Sequence, residues 1–193
     1  DVMIRASRVH AALRPDLPGR TGVLRLVDHD EALEVFPRIY DRVARRTPGF
    51  VSRSRTWWDL RQLDDRPERR RGGGALNRVL LELDGRPAGY ALYRTKADFQ
   101  GAINKGYVHV AEAIGDSPAA TRELWRFLLG VDWVDEIRCE LLPADHPLFL
   151  LVQRPNRLNW QVFDGLWLRL VDVGAALTTR AVAGDGRVTF DVA

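Results

Sequence analysis

Residues 78–94, RVLLELDGRPAGYALYR, carry the local pattern that decides the fold. Two apolar runs flank Asp84-Gly85, and an Asp-Gly pair between such runs is the signal for a tight turn that joins two antiparallel strands. The segment therefore predicts a β-hairpin. An isolated hairpin is not stable in water, so we expect the rest of the chain to supply more strands and a covering layer.

The chain on the C-terminal side of this hairpin alternates strands with helices. GYVHVAEAIG (106–115) predicts a third strand. Pro118 suits the first turn of a helix, which runs to a C-cap at Gly130. EIRCELLP (136–143) then predicts a strand and HPLFLLVQ (146–153) a short helix.

The N-terminal side predicts a strand from residue 2, a Pro/Gly-rich connection and a short strand at 23–27. Apolar residues then recur at helical spacing to about residue 46, after capping acids at Asp28 and Asp30. Pro37 lies inside this helix, so we expect a kink or a break. Ser54 caps a second helix that ends near residue 63, and DDRPERRRGGG (64–74) predicts a mobile loop.

The last thirty residues read as the start of another unit. Alternation in DGLWLRLV predicts a strand that packs Leu166, Leu168 and Leu170 into the sheet. Asp172 offers a cap for a short helix near residue 174, and a final strand would place Val188, Phe190 and Val192 on one face. We expect this piece to be part of something larger, loosely held after residue 174 unless a neighbour covers it.

Composition excludes several classes of function. The chain has 193 residues, 46% of them hydrophobic, which is enough for one domain with some extra. No run approaches the length that crosses a bilayer, and no signal-peptide pattern is present. The single Cys139 excludes an internal disulfide and favours a cytoplasmic protein with a buried thiol, and the four histidines lack metal-ligand spacing.

The charge distribution leaves a weak case for nucleic acid. Residues 1–71 hold 16 arginines against 11 acids, whereas the whole chain has a net charge of +3. Arginine is spread through every element, which favours a compositional bias over a designed patch. Nucleic-acid binding is therefore a third hypothesis, and RRRGGG contacting phosphate is less favoured than a solvated loop.

The predicted order of elements is that of the α+β GNAT acetyltransferase fold, with a mixed central sheet flanked by helices. In that family the turn after the hairpin-following strand holds the coenzyme A pyrophosphate at a helix N-terminus. The corresponding residues here are EAIGDSPAA, with Glu112, Gly115 and Ser117 at the signature positions. An acid at 112, a second at Asp116 and the missing N–H of Pro118 oppose such a site, and Gly115 is better interpreted as a strand-ending turn.

Several separated motifs resemble the Eis-like (enhanced intracellular survival) N-acetyltransferases over nearly the whole chain. They are IYDRVARRTPGFVSRSRTWWD, DGRPAGYALYR, LWRFLLGVDWVDEI and NWQVFDGLWLRLVDVGAAL. The resemblance implies that residues 1–21 end a preceding GNAT domain and its linker. Residues 22–172 would be a second, degenerate GNAT domain, and residues 173–193 would begin a sterol-carrier-protein-like domain.

The same resemblance places no catalytic residue in this chain and no acetyl-CoA site, because both lie outside it in the family. It implies that Trp58, followed by Asp59, forms part of an acceptor pocket. The residues allow this, since adjacent helical side chains point about 100° apart, so that one of Trp57 and Trp58 enters the core while the other faces a groove. The alternative is that both rings anchor the core or an interface.

Two functions follow as hypotheses. The first is the central portion of an enzyme that transfers acetyl from acetyl-CoA to a primary amine of the aminoglycoside, lysine or polyamine type, without metal, nucleic acid or membrane. A homo-oligomer, a hexamer by resemblance, is implied. The second is a stand-alone, inactive GNAT-like domain for binding or scaffolding.

Overall fold

The computed structural model describes residues 1–7, 10–18, 22–70, 72–165, 167–181, 184, 186–187 and 189. Its centre is a seven-stranded sheet in the order β2-β3-β4-β7-β8-β1-β9, in which β7 and β8 run parallel and all other neighbours antiparallel. The strands are β1 Val2–Ser7, β2 Val23–Leu26, β3 Asn77–Leu83, β4 Arg86–Lys96, β7 Tyr107–Gly115, β8 Glu136–Leu142 and β9 Gln161–Val162, with β5 Phe99–Gln100 and β6 Ile103–Asn104 in a separate small hairpin. The helices are α1 His29–Ala44, α2 Arg55–Trp57 continued by a π turn Trp58–Gln62, α3 Pro118–Leu129, α4 Leu148–Leu151 and α5 Val173–Thr178, with short 3₁₀ turns at Pro67–Arg69 and Pro155–Leu158.

The predicted hairpin is confirmed as β3 and β4. Asp84 and Gly85 both have positive φ, 51° and 70°, as a two-residue turn between right-twisted strands requires. Because this turn fixes the register, Leu80 faces Tyr90 and Leu81 faces Gly89. The hairpin therefore sets which side chains point to each face of the sheet.

Helices cover both faces of the sheet, and each face has its own core. On one face, α1 brings Phe36, Ile39 and Tyr40 against Leu80 and Leu92. On the other face, the apolar side of α3 packs on side chains of β1, β4, β7 and β8. Each large apolar side chain buried in this way stabilises the fold by roughly 1.5–3 kcal/mol. The expected mixed sheet flanked by helices is confirmed.

The structure differs from two predictions, one of an interrupted helix and one of a mobile loop. Helix α1 runs unbroken through Pro37, because its apolar face is anchored in the core along its whole length. The segment 64–74 was expected to be a mobile loop, but its described residues, 64–70 and 72–74, are tied down. Its 3₁₀ turn and the bond from the Gly74 N–H to the Thr95 carbonyl, 2.8 Å, hold it against β4.

The C-terminal prediction was wrong in part. Residues 167–171 form no strand, and Leu168 and Leu170 are 83% and 60% exposed instead of packing into the sheet. The alternation was real, but no neighbouring strand is available to pair with it in the part of the chain that the structure describes. Leu166, Val188, Phe190 and Val192 lie outside the described residues. The short helix is confirmed as α5, since Asp172 accepts a hydrogen bond from the Ala175 N–H at 2.8 Å.

The opening strand has a place in the same sheet. β1 lies between β8 and β9 and contributes Val2, Ile4 and Ala6 to the core. The boundaries at residues 21 and 172 remain predictions. Among the described helices, none has the length and apolar character needed to cross a membrane.

Candidate functional site

Strand β7 loses one of its two neighbouring strands half-way along its length. The family signature begins at the same place. Its parallel pairing with β8 ends at Val110–Cys139, whereas its antiparallel pairing with β4 continues to Gly115. Between the pairs Tyr93–Val110 and Leu92–Glu112 the strand carries one extra residue, Ala111. Without this bulge Glu112 would face the α3 side of the sheet. The bulge therefore turns Glu112 toward α1.

Glu112 is the centre of a hydrogen-bonded cluster on that face. Its two oxygens accept two bonds from the Arg53 guanidinium, at 2.7 and 3.0 Å. The Gln62 amide donates to it at 3.0 Å, and the Tyr90 hydroxyl at 2.6 Å. Four donors saturate this carboxylate, so its charge is fully engaged inside the protein. We call Glu112, Arg53, Gln62 and Tyr90 the Glu112 cluster.

Aromatic rings enclose this cluster. The Arg53 guanidinium lies 3.9 Å from the centroid of the Tyr40 ring and 5.1 Å from that of Trp58. Tyr90 is stacked on Phe36 at 4.5 Å. Burial acts to lower the pKa of Arg53, but the bonds to Glu112 outweigh it and raise that pKa. Burial, with the adjacent Glu112, raises the pKa of Tyr90 well above its usual value. Both groups thus keep the proton that they donate.

At the N-terminus of α3, the pyrophosphate site in the family, two of the backbone donors are engaged within the chain. The Asp116 N–H bonds to the Ala88 carbonyl at 2.8 Å, and the Ala120 N–H bonds to the Ser117 hydroxyl oxygen at 3.2 Å. Pro118 has no N–H to offer. Gly115 packs so closely that a Cβ there would lie 2.5 Å from the Thr121 nitrogen. We call residues 115–120 the closed turn.

The two acids at this turn, Glu112 and Asp116, are not left uncompensated as the sequence suggested. Glu112 is neutralised by Arg53, and the Asp116 carboxylate accepts from Arg42 at 3.0 Å. Arg46 also donates to the Asp116 carbonyl. The expectation that two uncompensated acids repel a pyrophosphate is therefore wrong in its physical reason. What opposes a pyrophosphate here is that the Asp116 and Ala120 N–H groups make internal hydrogen bonds and that Pro118 has no N–H.

The three residues predicted to line an acceptor pocket lie in different surroundings. Trp58 is 1% exposed and contacts Tyr40 and Tyr90 in the core, whereas Trp57 is 41% exposed. Arg61 lies 4.6 Å from the Trp57 ring centroid. The Asp59 carboxylate is 2.8 Å from Nε2 of His29. One tryptophan thus enters the core and the other faces outward, as the helical geometry predicts.

Sequence reasoning missed the residues that hold Glu112. Arg53 precedes a recognisable helix cap, Ser54, but nothing local shows that its side chain reaches β7. Tyr90 and Gln62 were read as parts of a strand and of a helix. Only the register of β4 against β7, with its bulge, brings them together.

Other candidate chemistry finds no support. Cys139 is buried, and burial raises the pKa of its thiol to about 12, so it is not a nucleophile. Burial lowers the pKa of His146 to about 4, and the ring contacts Trp125. The described residues include no group of three or more metal-binding side chains.

Comparison with known proteins agrees with the fold. Residues 49–170 match the family described as Acetyltransferase (GNAT) domain. The chain belongs to the GNAT acetyltransferase family. It is 35% identical to an uncharacterized N-acetyltransferase of Streptomyces avermitilis over 91% of this chain and 43% of that protein. It is 34% identical to N-acetyltransferase Eis of Mycobacterium tuberculosis over 93% of this chain and 42% of that protein.

The solved structures agree with this GNAT assignment. The chain superimposes on Eis1 from Mycobacterium abscessus with a TM-score of 0.66 and 30% identity, covering 93% of this chain and 43% of that one. A probable N-acyltransferase from Enterococcus faecalis shares the fold, with a TM-score of 0.64 at 19% identity. The Eis-like resemblance is thereby confirmed. The chain spans less than half the length of the relatives it matches.

Proposed function

We propose that this GNAT chain is the central, non-catalytic portion of an Eis-like N-acetyltransferase. The whole protein would transfer acetyl from acetyl-CoA to a primary amine on an aminoglycoside, a lysine or a polyamine. Acetyl-CoA would bind outside this segment, which would shape the acceptor pocket and support assembly in the cytoplasm. The observation that carries the proposal is the closed turn, where a family member that binds the cofactor needs free donors.

The Glu112 cluster supports the same conclusion. It is built from one side chain of β7, one of β4, one of the π turn and one of the preceding loop. A ligand that replaced any of these bonds would leave a buried charge or hydroxyl unpaired, at a cost of about 1–3 kcal/mol for each group. The Glu112 cluster therefore contributes to the stability of the chain and not to the binding of a ligand.

The acceptor role is proposed for the outward part of the segment 57–59. Trp57 and Asp59 are both accessible, and an aromatic face and a carboxylate each attract a cationic amine. Trp58 would contribute indirectly, because its buried ring would fix the π turn next to Trp57 and Asp59. An amine would displace Arg61 from the Trp57 ring and compete with His29 for Asp59. An unchanged acceptor KM in a Trp57→Ala variant of the full-length protein would contradict this role.

Assembly is proposed on the exposed apolar surface beyond β8. Val162, Trp167 and Val171 are exposed, and together with Leu168 they form an apolar segment that a further domain or another subunit would cover. A sterol-carrier-like domain following residue 172 and a hexamer are the arrangements that the resemblance implies. Light scattering on the full-length protein measures the subunit number.

Calorimetry with acetyl-CoA tests the proposal. The purified chain should give no measurable heat of binding, while the full-length protein that contains it should bind. Circular dichroism on the same sample shows that the chain is folded. Micromolar binding to the chain would overturn the non-catalytic assignment, and a full-length protein without acetyltransferase activity would overturn the rest.

A stand-alone binding or scaffold domain is the alternative, because the closed turn is compatible with it as well. The gene sequence on either side of these residues separates the two. A reading frame that begins near Asp1 and encodes no second acetyltransferase domain would favour the scaffold.

A further inference from the structure

A second concave surface lies at the opposite end of β7 from the closed turn. Its floor is the sheet face formed by β4, β7 and β8, and its wall is the π turn and the segment 64–76. The volume is ≈ 400 Å³. The side chains that dominate its lining are basic: Arg61, Arg69, Arg70, Arg94, Lys96 and Arg138. We call this surface the basic groove.

Two acids, one buried and one partly buried, fix the wall of the groove. Asp64, whose side chain is 5% exposed, accepts from Arg66 at 2.8 Å and lies 3.4 Å from Arg69. Asp65 accepts from the Leu76 N–H at 2.9 Å and pairs with Arg70 and Arg94. The described residues of this segment, 64–70 and 72–76, thus form a structured element that carries Arg69 and Arg70 to the edge of the sheet.

The floor presents a preorganised cation. The Arg138 guanidinium lies 3.6 Å from the centroid of the Tyr107 ring and bonds to Glu136 at 2.6 and 2.9 Å. A guanidinium that is stacked and held by a carboxylate loses little further freedom when it binds a ligand.

Positive charge remains in excess after the internal pairs are counted. Of the lining acids, Asp64 serves Arg66 and Arg69, and Glu140 is largely exposed, 4.0 Å from His109. Asp65 pairs with Arg70 and Arg94, and Glu136 pairs with Arg138. Lys96 has no ion pair or hydrogen bond among the described residues, and Arg61 stacks on Trp57 without an acidic partner there. Six basic side chains thus face four acids, and two of these acids, Asp64 and Glu136, also pair with Arg66 and Arg5 outside the lining. An anion with at least two charges would balance the groove.

We propose that the basic groove is a binding site for a phosphoryl group of a small molecule, with Lys96 and Arg61 as its direct contacts. Arginine and lysine together suit a tetrahedral dianion, because guanidinium groups donate in pairs while the ammonium acts as a point charge. The site is separate from the closed turn, and it borders the Trp57–Asp59 surface at Arg61, whose guanidinium lies on the Trp57 ring. It does not depend on the acetyl-transfer proposal, because it is built from residues of this chain alone.

Nuclear magnetic resonance titration of the folded chain at constant ionic strength tests the site. Inorganic phosphate and pyrophosphate are the probes, malonate is the dicarboxylate comparison and chloride is the blank. We expect saturable shifts of the amides of Thr95, Lys96 and Tyr107 with the two phosphates. The Lys96→Gln, Arg61→Gln double variant should weaken pyrophosphate binding about tenfold or more.

Arg86→Gln is the matched control, because it removes one positive charge at the far end of β4 and should leave the affinity within about twofold. Lys96 and Arg61 are at least partly exposed, so the double variant should fold, which its dispersed amide spectrum verifies. Equal binding by the double variant and the parent chain would overturn the site. Malonate binding as tight as phosphate binding would overturn the phosphoryl assignment.

Discussion

The two ends of β7 differ in how completely the charged groups around them are paired within the chain. At the C-terminal end, the Glu112 and Asp116 carboxylates are each paired with an arginine of the same chain. At the N-terminal end, the basic groove keeps more cations than acids and leaves Lys96 without an ion pair in the described part of the chain. A fold that offers an anion site at one place can therefore close it with internal bonds, while another part of the same strand gathers unbalanced charge.

The largest effect should come from opening the Glu112 cluster. Glu112→Ala would leave the Arg53 guanidinium, 14% exposed, buried without its partner, together with the Tyr90 hydroxyl. We expect the free energy of unfolding to fall by about 3–5 kcal/mol, measured by urea denaturation. If the two ends of β7 differ as described, an acid at the groove should matter far less.

Glu140→Ala is the matched control for that prediction. Its carboxylate is 62% exposed and lies 4.0 Å from Nε2 of His109, so the change should stay within about 0.5 kcal/mol. A loss for Glu112→Ala that is no greater than the loss for Glu140→Ala would contradict the contrast between the two ends.

A smaller effect is expected at the closed turn itself. In Gly115→Ala the new methyl group would lie 2.5 Å from the Thr121 nitrogen and 2.9 Å from the Ala120 carbonyl carbon. Both are backbone atoms of the first turn of α3, so relief requires the helix to shift. We expect thermal or urea unfolding to show a loss of about 1–3 kcal/mol.

Gly174→Ala serves as the comparison, because its Cβ would meet only the Asp172 carboxylate at an ordinary 3.5 Å. It should not lower the stability. Should Gly115→Ala be equally harmless, the space between β7 and α3 would be large enough for a ligand, and the turn would not be closed.

Features set by neighbouring residues could be predicted from the sequence. The hairpin turn at Asp84-Gly85 and the helix caps Asp28, Ser54 and Asp172 each depend on side chains within three residues, and all four are present. Element order and resemblance then sufficed for the GNAT fold. These inferences succeed because turn and cap chemistry is local.

The candidate site could not be predicted in the same way, because its contacts join distant residues. Whether Glu112 faces α1 or α3 depends on a single extra residue, Ala111, and its partner Arg53 is 59 residues away. The segment 64–74 read as disordered since no apolar period holds it, whereas Asp64 and Asp65 hold it through ion pairs. Alternation at Leu168 and Leu170 says which side would be buried, but not whether a partner strand is present.

The smallest effect concerns the acid that supports the groove wall. Arg66 holds the pKa of Asp64 at about 2, below the usual 3.8, mainly through the hydrogen bonds from its side chain and backbone. A carboxylate whose pKa is depressed in the folded protein contributes stability above its unfolded pKa and loses it as the pH falls toward the folded value. The parent chain should therefore lose this contribution between about pH 4 and pH 2. An Asp64→Asn variant should be less stable by a constant amount above about pH 5 and approach the parent near pH 2. Because Arg66 and Arg69 are more than half exposed, salt should reduce the difference. Urea unfolding of both proteins from pH 2 to 7 measures it, and a difference that does not change with pH would mean that packing, and not charge, ties the wall of the basic groove.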